Sequence, residues 1–255
     1  MTALHNEVHG PADAPVLVLS SSLGTTGEMW QPQVGPLGEH FRIVTYDMRG
    51  HGRSPAPPEP YDIADLGGDV VELLDLLGFE RCHFCGLSIG GMIGLWLAAH
   101  APERIDRLVV CCTSAHLPPA EAWRERAETV RAAGSTEPIA DLVLGRWLTP
   151  QFAQDHPEVR DRLRAMLVAA DAEGYAACCG AIERMDLRAD LARIVAPTLV
   201  ISAREDPSLP PVHGERIASA VPGARYECLD GAAHLANVEQ PAAVTRLILD
   251  HLEDT

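Results

Sequence analysis

Long hydrophobic runs are missing from this chain: no apolar stretch approaches the ~18 residues that a membrane-spanning helix needs. The first residues, Met1-Thr-Ala-Leu-His-Asn-Glu, lack the basic and apolar regions of a signal peptide. Basic charge is scarce. Twenty Lys and Arg face 36 Asp and Glu, for a net charge of −16. That balance argues against nucleic acid or an anionic membrane as partner, since both demand basic surface. Any anionic substrate would need a placed cation. A disulfide framework is missing too: seven cysteines is an odd number, and Cys111-Cys112 and Cys178-Cys179 are adjacent pairs. The expected compartment is a reducing cytoplasm. Cys82-His83-Phe84-Cys85 has Cys-x-x-Cys spacing, but residues three apart on a strand point to opposite faces, so the thiols could not share a metal. No metal cluster, phosphate loop or dinucleotide fingerprint occurs, and no cofactor is expected.

What is present is strand and helix in alternation. The 255 residues, 47% hydrophobic, suffice for one large α/β domain or a core with a modest insertion. Segments 16–20, 42–46, 107–112, 197–203 and 224–229 read as strands, the first of them a continuous apolar run buried on both faces. An amphipathic segment surrounds Met29, Trp30, Val34 and Leu37, and a proline-rich loop runs from Pro55 to Pro60. Helices are expected at 62–77, with Gly78 as its stop, and at 241–252. The alternation implies a mostly parallel, doubly wound sheet. From 117 to 190 the strand runs vanish, and amphipathic helices are expected at roughly 119–133, 137–147, 156–170 and 172–185. The expected organisation is a core of 1–116 and 191–255 with a helical cap at 117–190.

The run Gly86-Leu87-Ser88-Ile89-Gly90 joins an apolar strand directly to a helical pattern. A serine at the apex of so sharp a turn needs neighbours without β-carbons. Its hydroxyl then projects from the end of the sheet. A serine also needs a base, and the base an orienting acid. Loops leaving the carboxyl ends of parallel strands are the ones that reach Ser88. Two such loops follow the insertion: Arg204-Glu205-Asp206-Pro207 and Asp230-Gly-Ala-Ala-His234. Ser88, Asp206 and His234 therefore form the candidate triad, in the serine, acid, histidine order of α/β-hydrolases. Glu205 competes with Asp206 for the acid position, Asp230 reads as a turn residue, and His213 as a substrate contact or a helix cap. Asp47 and His51, in Asp-x-x-Gly-His-Gly, read as a tight structural loop. An oxyanion needs donors, for which the candidates are the N–H of Ile89 and, in Ser21-Ser22-Leu23-Gly24, that of Leu23.

Several stretches resemble the 3-oxoadipate enol-lactonases of aromatic-compound catabolism. They are Leu19-Ser-Ser-Ser-Leu-Gly-Thr25 with Met29-Trp30, Tyr46-Asp-Met-Arg-Gly-His-Gly-Arg-Ser54, His83-Phe-Cys-Gly-Leu-Ser-Ile-Gly-Gly-Met92, Ala98-Ala-His-Ala-Pro-Glu-Arg104, Arg146-Trp-Leu-Thr149, Glu173-Gly-Tyr-Ala-Ala-Cys178 and Ala233-His-Leu-Ala-Asn237 before Glu239. The chain departs from that pattern at Ser21 or Ser22, where Asn is usual, and the decarboxylase fused to some members is not expected here.

The resemblance implies an α/β-hydrolase fold with a helical cap inserted after the sixth strand. It also implies hydrolysis of 3-oxoadipate enol-lactone, a small anionic lactone, to 3-oxoadipate. The substrate carboxylate then needs a cation, and the insertion offers Arg124 and Arg126 beside Trp123, and Arg146 beside Trp147. Arg146, inside a family-like motif, is the favoured residue. The bland alternative for each arginine is a solvated helix face or surface ion pair, and for the tryptophans lid packing. Rival activities on the same parts are a carboxylesterase, a carbon–carbon bond hydrolase and a cofactor-free perhydrolase. A non-catalytic receptor is the rival of another class. Enzymes with an aspartate at the elbow are excluded by Ser88.

Overall fold

The computed structural model describes residues 4–57 and 60–253. The middle of the proline-rich loop, Pro58 and Glu59, and the first three residues of the chain lie outside the described residues. Seven strands form one sheet: β1 (Asn6–His9), β2 (Val16–Ser20), β3 (Arg42–Tyr46), β4 (Cys82–Leu87), β5 (Ile105–Cys111), β6 (Thr198–Ala203) and β7 (Arg225–Leu229). Their spatial order is β1-β3-β2-β4-β5-β6-β7. Only the β1–β3 pairing is antiparallel, and every other neighbouring pair is parallel. β2 and β4–β6 are buried along most of their length, as continuous apolar runs in a helix-covered parallel sheet require.

The helices are α1 (Gln31–Leu37), α2 (Ile63–Leu77), α3 (Ile89–His100), α4 (Ala120–Ala133), α5 (Ala140–Trp147), α6 (Pro150–Asp155), α7 (Pro157–Val168), α8 (Ala172–Arg184), α9 (Val212–Ala220), α10 (Ala236–Glu239) and α11 (Pro241–Leu252). α2 starts in a capping box, with Asp62 and Asp65 each accepting the other's N–H, and stops at Gly78 in the left-handed conformation. α3 is apolar all round and correspondingly buried, packed between β4, β5 and α2.

Helices α4–α8 all fall between β5 and β6, where the strand runs stop. α4 packs along α8, and α5 along α7. The chain enters and leaves this segment at one place: His116 bridges Asp186, and the Leu187 N–H donates to the Ala115 carbonyl at 2.8 Å. Five strands precede the insertion rather than the expected six, because β1 alone forms the sheet's antiparallel edge among the described residues. Three of these elements, β1, α6 and the four-residue α10, escaped the sequence reading. β1 is four largely polar residues at an edge, with no apolar alternation to mark it. α6 is a six-residue helix set by Thr149, whose hydroxyl accepts the Phe152 N–H.

Candidate active site

The elbow holds Ser88 at φ 60°, ψ −120°, one of two non-glycine residues with positive φ among those described. Such a backbone costs about 1–3 kcal/mol and persists only where its surroundings enforce it. Here the Ser88 N–H donates to the Cys111 carbonyl at 2.9 Å, and Thr113 Oγ1 donates to the Ser88 carbonyl at 2.6 Å. The flanking glycines are steric necessities: a β-carbon on Gly86 would lie 2.1 Å from the Gly90 carbonyl oxygen, and one on Gly90 2.4 Å from that of Ser20. Strand, serine and helix pass too closely for any side chain.

Asp206 and His234 converge from the loops after β6 and β7. His234 Nδ1 lies 2.7 Å from Asp206 Oδ2, and both residues are buried. A carboxylate only accepts, so Nδ1 carries the proton and Nε2 is left as an acceptor. Asp206 Oδ1 meanwhile accepts the N–H groups of Ser208 (2.8 Å) and Leu209 (3.0 Å). Burial works to raise the Asp206 pKa, but the neighbouring His234 and the two amides outweigh it and hold the carboxyl below its ordinary range.

Neither competitor stands in the acid's place. Glu205 accepts the Ala232 N–H at 2.9 Å and braces the loop that carries His234, while Asp230 pairs with Arg204 at 2.7 Å on the surface. His213 does not cap a helix; it lies inside α9, and its Nδ1 is 2.8 Å from Ser114 Oγ.

Ser88 and His234 share one cavity of about 250 Å³ with Ser22 and Leu23 of the first loop. Ile89 opens α3, so its N–H is one of the donors that a helix start leaves over. Among the described residues, neither the Leu23 N–H nor the Ile89 N–H reaches an acceptor in the protein, although both residues are buried. Their neighbour Gly24 is held: His51 Nε2 accepts its N–H at 2.9 Å, with His51 Nδ1 3.1 Å from the Arg49 carbonyl. His51 is thus a support of the first loop as well as of its own. The Asp-x-x-Gly-His-Gly spacing marks a tight loop but says nothing of that distant contact.

The other wall comes from the insertion: Trp123 and Arg126 of α4, Arg146 and Trp147 of α5, and Tyr175 of α8. The chain has no lysine, so all 20 of its cations are arginine. Arg126 lies over the Trp123 ring, 4.7 Å from its centroid. Burial, then the nearby Arg126 charge, lowers the Arg146 pKa below its usual value. Among the described residues, neither Arg126 nor Arg146 pairs with a carboxylate, unlike Arg124, which points away to Glu183 at 2.9 Å. The sequence thus identified four insertion residues that the fold brings to the cavity, and Arg124 is the surface ion pair.

The sequence profile of the alpha/beta hydrolase fold matches residues 15–241. The chain belongs to the α/β-hydrolase fold family. Within it, this α/β-hydrolase is 42% identical to the 3-oxoadipate enol-lactonase 2 of Acinetobacter baylyi, across 96% of this chain and 91% of that protein. Its fold matches the crystal structure of the enol-lactonase from Burkholderia xenovorans LB400 with a TM-score of 0.97 at 44% identity, covering 99% of this chain and 97% of the other. A hydrolase from Pseudomonas aeruginosa PA01 matches with a TM-score of 0.95 at 47% identity, over 98% and 94%. Among the described residues of this α/β-hydrolase, no group of histidine, cysteine, aspartate and glutamate has the arrangement to hold a metal ion, and no single helix is long and apolar enough to cross a membrane.

Proposed function

We propose that this α/β-hydrolase opens the ring of 3-oxoadipate enol-lactone to give 3-oxoadipate through an acyl-enzyme on Ser88. One observation carries the reading: a single cavity has Ser88 and the Asp206-oriented His234 on one side and the carboxylate-free Arg126 and Arg146 on the other. A hydrolytic centre and a site for a carboxylate therefore face one small space. The likeness to two enol-lactonases, insertion included, supports the same substrate.

Ser88 Oγ attacks the lactone carbonyl while His234 Nε2 takes its proton, and Asp206 stabilises the imidazolium. The Leu23 and Ile89 N–H groups receive the oxyanion, each such donor being worth about 3 kcal/mol in the transition state. Collapse expels the ring oxygen as an enolate, a better leaving group than a simple alkoxide, which becomes the ketone on protonation. Water deprotonated by His234 then releases Ser88 and the product acid. Residues 117–190 act as the cap that selects the substrate over a 1–116 and 191–255 core. The seven cysteines, none of them in a disulfide, suit a reducing cytoplasm.

The experiment compares kcat/KM for the enol-lactone with that for p-nitrophenyl acetate. A preference for the lactone of about 10²-fold or more is expected, since remote binding energy of the carboxylate is used at the reacting centre. Equal or better turnover of the neutral ester would make the protein a general esterase instead.

A further inference from the structure

A carboxylate outside the triad ties the His234 loop to the insertion. Glu239 stands at the end of α10 and is half-buried. Its Oε1 accepts both the N–H of Thr149 (2.9 Å) and its hydroxyl (2.6 Å), and its Oε2 accepts the N–H of Ala233 at 2.5 Å. On the other side of His234, the Leu235 N–H donates to the Trp147 carbonyl at 2.9 Å. Both neighbours of the histidine are thus anchored, one through Glu239 and one directly, to the same three residues of the insertion, Trp147–Thr149. That segment continues from the Arg146–Trp147 wall of the cavity.

The chemistry of the link suits a carboxylate alone. Three donors converge on a group that only accepts, and a charged acceptor strengthens each bond. A glutamate serving merely to solvate the surface would not have one oxygen held by the insertion and the other by the His234 loop.

We propose that Glu239 is a positioning residue that fixes His234 in register with the Arg146–Trp147 wall, so that the base and the substrate-binding face are placed as one unit. This rests on His234 being the base for Ser88. The tie acts on the Ser88–His234 alignment itself, so its loss slows any acylation of Ser88, including acylation by reagents that never touch the insertion.

The test is the rate of Ser88 labelling by a small fluorophosphonate, with lactone kinetics alongside. Glu239→Gln keeps the shape but turns an amide N–H toward one of the three donors. It is expected to slow labelling about tenfold or more and lower kcat by a similar factor, with KM changed less than about threefold, since misplacement by an ångström can cost ~10²-fold. Thr149→Val, which deletes one donor, is expected to slow labelling by a smaller factor. The double variant is expected to be no slower than Glu239→Gln, because both substitutions break one link. A Glu239→Gln protein labelled at the wild-type rate per folded molecule overturns the proposal. Should that variant not fold, an unchanged labelling rate in Thr149→Val overturns it equally. A wild-type protein that resists labelling overturns the triad reading and the tie with it, whereas a labelled wild type with indifferent variants overturns the tie alone.

Discussion

The N–H of Gly24 is held by His51 Nε2 at 2.9 Å, which fixes the peptide following Leu23. The unpaired Leu23 N–H therefore owes its direction to a side chain 28 residues further along the chain. His51→Ala leaves a buried donor without a partner and frees the loop. We expect kcat for the lactone to fall about tenfold to 10²-fold, short of the loss of a whole oxyanion donor, with KM within about twofold. A normal kcat would remove the first loop from the oxyanion site.

Asp206 and Glu205 are adjacent in sequence but hold different groups, one the His234 ring and the other the Ala232 N–H. Asp206→Asn allows the ring the wrong tautomer and is expected to lower kcat by about 10³–10⁴-fold. Glu205→Gln is expected to cost less than about tenfold, through loosening of the loop. A reversal of the two effects, read from lactone kinetics, would exchange their roles.

Arg146 lies beside Arg126 with no carboxylate paired to either among the described residues, an arrangement that a bound anion relieves. Arg146→Ala is expected to raise KM for the lactone about tenfold to 10²-fold, the scale of one charge-assisted interaction, and to leave p-nitrophenyl acetate hydrolysis unchanged. Equal losses on both substrates would show a structural role instead.

Burial lowers the pKa of His51, His83, His213 and His251 below the ordinary 6.5. The folded state binds these protons more weakly than the unfolded chain. Their contribution to stability is therefore complete above pH 6.5 and declines as the pH falls below it, toward each depressed folded value. The slope is at most about 1.4 kcal/mol per pH unit for each group. The urea midpoint is expected to be clearly lower at pH 5.5 than at pH 7.5. An equal midpoint would show that these rings accept protons freely in the folded protein.

Much of this was legible along the chain because it depends on local order. Ser88 sits between two glycines at a strand–helix join, and Asp206 and His234 each follow a strand at its carboxyl end. The parallel sheet brings such ends together whatever lies between. The apolar runs of β2, β4 and β6 announced themselves for the same reason, being buried on both faces. What stayed hidden depends on contacts between remote segments. Glu239 meets Thr149 across 90 positions, and His51 meets Gly24 across 27, and no local pattern encodes either pairing. Arg124 and Arg126 are two residues apart on one helix, and only the packing of α4 on α8 sends one to Glu183 and the other to the cavity.

The proposed role of Ser88, as the nucleophile that opens an anionic enol-lactone, stands or falls on one comparison. Its most direct measurement follows loss of the enol-lactone's ultraviolet absorbance with wild-type protein and with Ser88→Ala. Rapid loss is expected with the wild type and a rate at least about 10³-fold lower with the folded variant, what remains coming from the oxyanion donors and binding. Loss of absorbance at comparable rates with both proteins would contradict it.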